Sequence, residues 1–216
     1  MTKIDFRKID KPFYSGKVGR WDRLAVPEMS FLAIDGRGDP GGPAFAAAIA
    51  ALYAVAYKVK FARKAAGTED FTVGPLEALW WAEDMADFQP GSGGRERWQW
   101  RAVLRMPGDI GPDAVEAARA VAAKALAKKP APACDAATLA RVAPLRFAEG
   151  DCLQTLHVGS YLDEAPVLAR LHGEVIPGLG LRPAGLHHEI YLSDPRRTAP
   201  EKLRTILRQP VAPAEG

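Results

Sequence analysis

The polar and apolar positions of this chain fall into short blocks punctuated by glycine and proline. Residues 1–29 hold no sustained period. Their scattered charges, single aromatics, Pro12 and Pro27 read as an extended arm with one short edge strand, too irregular for a helix-turn-helix. Residues 31–34 form an apolar run that "DGRGDPGG" ends, so a strand is expected there. From Pro43 the period changes. Phe45, Ile49, Leu52, Tyr53, Ala56 and Val59 recur at helical spacing, with Pro43 suited to the first turn and Gly67 to the position past the last. "FTVGPLEALWW" predicts a strand bent at Gly74 and Pro75. Residues 83–96 read as a flexible connection, and "RWQWRAVLRM" as a strand by its alternation. A second helix is expected over "GPDAVEAARAVAAKALAKK", and "PAPACDAA" breaks it.

The second half repeats the order of elements. After a short helix and strand over "TLARVAPLRF", "DCLQTLHVG" predicts a strand and "SYLDEAPVLARLHGEVIPGLGL" a turn leading into a helix. "GLHHEIYLSD" predicts a strand, and "EKLRTILRQPV" a last one, with Pro200 leaving a helical start open. Strand–helix–strand–strand therefore occurs twice, in element order rather than in letters. Residues 130–136 are the expected boundary. The organisation is an arm (1–29), a first module with an extra helix (30–129) and a second module (137–216), together one α+β domain.

Composition narrows the function classes. The 29 basic residues are balanced by 26 acidic ones, for a formal charge of +3, which argues against direct nucleic-acid binding. "AKALAKK" reads as a charge bias at a helix C-terminus. Cys134 and Cys152 have no metal-ligand spacing, and the start "MTKIDFRKID" is not a signal peptide, so reduced thiols and a cytoplasmic location are expected. No uninterrupted apolar run reaches the roughly 18–20 residues of a membrane span. The four histidines form no convincing metal set, the serines lack a nucleophile elbow, and "GRGDPGG" lacks the lysine of a phosphate loop. No metal or cofactor is expected.

The candidate chemistry is a carboxylate inside a strand. In "HHEIYL", His187, Glu189 and Tyr191 share one face, and His188, Ile190 and Leu192 the other. If Ile190 and Leu192 pack on a helix, Glu189 points to the helix-free side. Glu77 occupies the equivalent strand of the first half, with Leu79 and Trp81 on its face and Trp80 on the other. Paired halves would bring the two helix-free faces together across a groove holding Glu189, Glu77 and some of Trp80, Trp81, Trp98 and Trp100. A solvated strand glutamate and ordinary core tryptophans fit the same pattern, so both readings stand at this point. A walled-in carboxylate would favour cationic ligands and would be able to act as a general base. Asp163 and Glu164 fit the first turn of a helix, where dipole placement is explanation enough, with a catalytic role for Glu164 the lesser reading. Tyr53 and Tyr57, one turn apart, fit a core stripe.

The segments "SFLAIDGRGDP", "LYAVAYKVKF", "GPLEALWW", "HVGSYLDE" and "HHEIYLSDPRRTAPEKLRTILRQPV" resemble the GyrI-like small-molecule-binding proteins, over residues 3 to 210. The resemblance implies tandem strand–helix–strand–strand (SHS2-like) modules with pseudo-two-fold symmetry, antiparallel sheets and a ligand cleft between the modules. Glu189 matches the pocket-base glutamate of the family's multidrug-responsive regulators. Ser160 stands where relatives often have proline. As no DNA-binding region precedes the module in this sequence, a transcription-factor role is not expected.

The expected function is capture of amphipathic aromatic xenobiotics or secondary metabolites, with Glu189, Tyr191, Glu77, His187 and the four tryptophans at the ligand. The alternative is a hydrolase that opens the cyclopropane ring of DNA-alkylating natural products, with Glu189 and Tyr161 catalytic. A protein-partner module of the gyrase-inhibitor kind is a third reading. Oligomeric state is not read.

Overall fold

The computed structural model describes residues 3–88 and 93–214. Four residues of the expected flexible connection (89–92), the first two of the arm and the last two of the chain lie outside them. The arm is not simply extended. It holds a helical turn, α1 (Phe6–Ile9), a 3-10 turn (Lys11–Tyr14) and a strand, β1 (Asp22–Val26). Then follow β2 (Met29–Arg37), α2 (Pro43–Ala65), β3 (Glu77–Trp81) and β4 (Gln99–Met106). The strand expected from residue 71 starts only at Glu77. Gly74 and Pro75 precede it, and proline lacks the N–H a ladder needs.

Next come α3 (Pro112–Leu126), α4 (Ala136–Ala140), β5 (Ala143–Phe147) and β6 (Gly150–Val158). The chain continues through α5 (Ala165–Arg170), a π-helical turn (Leu171–Val175), α6 (Ile176–Gly178), β7 (Leu181–Pro183), β8 (His187–Tyr191) and β9 (Arg204–Pro213). The fold is α+β, with one large antiparallel sheet in the order β1-β6-β9-β8-β3-β4-β2-β5, and β7 added on β9.

Helix α2 shows why the pattern works. Pro43 enters at its first turn, where a missing N–H costs nothing. At the other end Gly67 turns left-handed (φ 69°). Its N–H reaches the Lys64 carbonyl while the Thr68 N–H reaches that of Arg63, a Schellman ending. By length and composition α2 is apolar enough to cross a membrane. Here Phe45, Ala48, Leu52, Val55, Ala56 and Val59 are buried in the protein core, as in a core helix.

The sheet is rolled. β1 and β2 stand near opposite ends of the strand order, yet only two residues join them, and the same is true of β5 and β6. Two residues span at most about 11 Å between flanking Cα atoms, so the two edges must curl together. Val26 and Cys152 accordingly share a buried cluster with Met29, Phe31 and Val103. The halves also exchange edges. β1, from the arm, pairs with β6 of the second half, while β5, beyond the expected boundary at 130–136, pairs with β2 of the first.

The two faces of the sheet differ. Phe45 of α2 packs on Trp80 and Trp100, and Leu168, Leu171 and Ile176 pack with Leu153, so both helical layers cover the same face. The inside of the roll is filled by the arm and by buried charge. His188 lies 3.1 Å from Glu77 and 3.0 Å from Glu149, and Arg208 lies 2.5 Å from Glu149. The Tyr14 hydroxyl donates to Glu77 at 3.1 Å, and Arg208 donates to the Phe13 carbonyl and to Gln154. Burial would depress the His188 imidazolium, but Glu149 and then Glu77 outweigh it and carry it up to about 9. Burial would raise Glu149, but His188 and Arg208 hold it down at about 2.

Candidate functional site

Glu189 is set by β8, whose registers with β3 and β9 place it opposite Ala78 on one side and Leu207 on the other. Partners across an antiparallel pair share a face. Glu189, His187, Tyr191, Trp80 and Thr205 therefore lie together on the helix-covered face, at the junction of the two halves. The expectation that Glu189 turns away from the helices is corrected. Ile190 faces the interior of the roll, clustered with Tyr14, Leu156 and Ile206, so its apolar character reported the arm rather than a helix.

A chain of donors orients the carboxylate. The Trp80 indole N–H donates to the Tyr191 hydroxyl at 3.2 Å, and that hydroxyl donates to Glu189 Oε2 at 2.7 Å. Glu189 Oε1 is left facing His187 Nε2 at 3.6 Å. The Glu189 side chain is 15 % exposed, as is that of His187.

The second wall comes from the turn after β6. Gly159 adopts φ 144°, which disfavours any side chain, and a Cβ there would lie 3.1 Å from His157 Nε2. Ser160 and Asp163 then form a capping box, with the serine hydroxyl donating to Asp163 at 2.7 Å. This tight 3-10 turn (Tyr161–Glu164) eclipses residues three apart, so Tyr161 and Glu164 project on the same side. Tyr161 packs edge-on against Tyr191 with ring centroids 5.6 Å apart, and is 41 % exposed at the rim.

Glu164 is 4 % exposed, and its carboxyl lies beside the buried Thr205 hydroxyl. Burial, then the charge of Glu189, push the Glu164 carboxyl up to about 9, against a weaker pull from the Thr205 hydroxyl. The same burial and the two glutamates raise Tyr161 to about 12, and burial and Glu189 raise Tyr191 well above the usual tyrosine range. Two carboxyl groups thus sit within each other's field. One is held by a tyrosine hydroxyl, and the other is protonated at neutral pH.

The structure joins some of the expected residues and separates others. Glu189, Tyr191, His187, Tyr161 and Trp80 come together. Glu77 and Trp81 are on the opposite face of β3, Glu77 being 2 % exposed in the His188 network. Trp98 is one layer out, edge-on to Trp80 at 6.0 Å, its indole N–H donating to the Asp87 carbonyl. Trp100 is a core residue, 1 % exposed beneath Phe45. Glu164 is the functional candidate that strand reasoning passed over. Its sequence position after a capping box signals only a helix start.

Two concavities lie elsewhere on the surface. One, of about 340 Å³, is lined by Asp109, Ile110, Pro112, Pro144 and Arg146. The other, of about 230 Å³, is lined by Trp21, Thr155, His157, Pro166 and Arg170. Neither is lined by Glu164 or Glu189, and neither gathers a comparable set of titratable groups.

Comparison with known proteins supports a shared architecture. A family model described as a GyrI-like small molecule binding domain matches residues 115–212. A search of curated proteins finds no match. A solved structure of an uncharacterized conserved protein from Listeria innocua is 40 % identical, with a TM-score of 0.85, the match covering 97 % of this chain and 100 % of that one. A structure described as a hydrolase from the same organism is 39 % identical with a TM-score of 0.83, covering 98 % and 100 %. The C-terminal domain of EcmrR shares the fold alone, at 11 % identity and a TM-score of 0.54 over 90 % of this chain and 98 % of that one. On these matches, the chain belongs to the GyrI-like family of small-molecule-binding domains.

Proposed function

We propose that the protein binds flat, amphipathic, electrophilic aromatic molecules against Trp80, Tyr191 and Tyr161 and adds water to them. Xenobiotics or secondary metabolites of this kind alkylate DNA, so the role is protection. The observation that carries the reading is the unequal pair Glu164 and Glu189, since adjacent carboxyl groups with different environments are how one site holds an acid and a base together. The description of a 39 % identical Listeria protein as a hydrolase supports it.

The substrate that asks least of such a site is a cyclopropane fused to a dienone. Glu189 takes a proton from water, and the water oxygen bonds to the ring carbon. The strained C–C bond breaks, and its electron pair passes through the dienone to the oxygen that becomes a phenol. Protonated Glu164, with the Tyr161 hydroxyl at the rim, supplies a proton or hydrogen bond to that oxygen. The product is substrate plus one water.

Incubation of the purified protein with such a compound is expected to give a mass gain of one water by mass spectrometry. Glu189→Gln should lower the rate roughly 10²–10⁴-fold, the usual worth of a general base. Full turnover in that variant removes Glu189 from the chemistry. Unchanged compound that still quenches tryptophan emission would reduce the function to binding, which aromatic faces beside a carboxylate favour for organic cations.

A further inference from the structure

We infer that the concavity between the arm, β6 and α5 is a second ligand site, separate from the Glu189 cleft, and that it takes a small hydroxyaryl carboxylate. None of the residues that water addition would use lines it, so the inference stands apart from that reading. Its walls come from three parts of the chain: Val18 and Trp21 from the arm, Thr155 and His157 from β6, and Val167 and Arg170 from α5.

Each wall is held by contacts of its own. Residues 17–20 form a tight turn, in which the Arg20 N–H donates to the Lys17 carbonyl at 3.3 Å. Gly19 supplies the positive φ (74°) that the third position of such a turn requires. The Thr155 hydroxyl donates to the same Lys17 carbonyl at 3.1 Å and ties the turn to β6. Trp21 is anchored against Leu153, Leu171 and Ile176.

These bonds decide what the floor can offer. Thr155 and His157 are buried and, two positions apart on β6, share a face. Thr155 gives its one hydroxyl hydrogen to Lys17, so its oxygen is left as an acceptor. His157 Nε2 lies 3.1 Å from the Ser160 carbonyl. That oxygen can only accept, so Nε2 carries a proton, and in the neutral ring Nδ1 is an acceptor too. Both tautomer and ring orientation are fixed before any ligand arrives. A floor of acceptors calls for a ligand that brings a hydroxyl hydrogen.

The wall from α5 calls for a negative charge. Arg170 supplies a guanidinium, and its pairing with Glu174 is loose, at 3.6 Å between two exposed side chains. A carboxylate can take that guanidinium with two parallel hydrogen bonds. Trp21, Val18 and Val167 leave an apolar slot for a flat ring between the two polar ends. Size sets the rest. The concavity, about 230 Å³, exceeds the roughly 150 Å³ that holds benzene and falls short of the roughly 300 Å³ at which drug-sized pockets begin. One ring or a fused pair fits.

Titration of the intact chain with para-hydroxybenzoate, followed by backbone amide NMR, tests this. Saturable shifts are expected around Gly19, His157 and Val167. The para-methoxy acid keeps the shape and charge but loses the donor, and should bind about tenfold more weakly. Arg170→Gln should weaken para-hydroxybenzoate about tenfold and leave phenol unchanged. Val167→Phe fills the slot from an α5 position and should abolish the shifts, whereas Glu189→Gln should leave them as they are. Equal affinity for the hydroxy and methoxy acids overturns the inference, as do shifts that fail to saturate or that survive Val167→Phe. Shifts confined to residues 187–191 and lost in Glu189→Gln would place the probe in the Glu189 cleft and remove the second site. None of these outcomes bears on water addition, which the mass gain and its loss in Glu189→Gln decide separately.

Discussion

Glu164 and Glu189 have the same side chain and differ by what packs on each. Glu189 receives the Tyr191 hydroxyl, which is itself fixed by Trp80, while Glu164 meets burial and a neighbouring negative charge. If Glu164 acts as the acid, it works in its protonated form. Its carboxyl holds the proton up to about 9, so kcat/KM should fall as pH rises through about 9. Glu164→Gln keeps a neutral donor and should flatten that limb while lowering the plateau. A pH–rate profile of both proteins checks this, and an alkaline limb unchanged in the variant would assign it to another group. Glu189 was legible in the sequence because an acidic residue interrupts an apolar strand. Glu164 was not, because "SYLDE" describes a capped turn equally well whether its last residue meets water or protein.

Between residues and fold stand the elements, and Gly36 illustrates their coupling. In the sequence it belongs to a glycine-rich stretch that reads as a turn. In the structure it is still within β2, paired with Trp100 of β4. A Cβ at Gly36 would lie 2.0 Å from the Trp100 ring, so the absent side chain is the space the indole occupies. This also explains why Trp100 is core and Trp98 is not, a distinction that alternation cannot make for two residues on the same side. Gly36→Ala should therefore destabilise by about 1–3 kcal/mol through overpacking, read from urea unfolding. Phe45, which holds Trp100 from above and also touches Trp80, should transmit part of that strain toward the Glu189 site.

Across the whole molecule, the arm and the rolled sheet enclose charge that must stay paired. His188 has its folded pKa raised, so its contribution is fully present below about 6.5 and is lost as pH rises through about 9. Glu149 is depressed, so its contribution is present above about 4.5 and is lost as pH falls toward 2. The raised Glu164 acts in the alkaline direction too, since the folded state holds a proton that the unfolded chain has released. The melting temperature should therefore peak near about pH 4.5, fall on the acid side with Glu149, and decline on the alkaline side first with Glu164 and more steeply above about 6.5, where His188 joins. His188→Gln should cost about 3–5 kcal/mol at neutral pH, because it leaves buried Glu77 with only the Tyr14 hydroxyl and Glu149 with only Arg208, and it should weaken the alkaline decline. Calorimetry across this range decides it. A flat profile would mean that the buried network does not titrate with folding.

The sequence by itself determined the order of the long elements beyond the arm, the start and end of α2, the repeat of strand–helix–strand–strand, and the presence of a carboxylate in the last but one long strand. These depend on periodicity, proline and glycine, which act over one or two turns of chain. Tertiary structure alone decided which face of each strand is covered, that β1 and β5 cross to the opposite halves, that Glu77 joins His188 rather than Glu189, and that Glu164 is buried. Alternation shows that two faces differ, but the identity of each face comes from residues far away in the chain that pack against it. The shift of Glu164 has the same origin, because it comes from burial and then from the charge of Glu189, twenty-five positions on in the same half, and both arise only when the chain is packed.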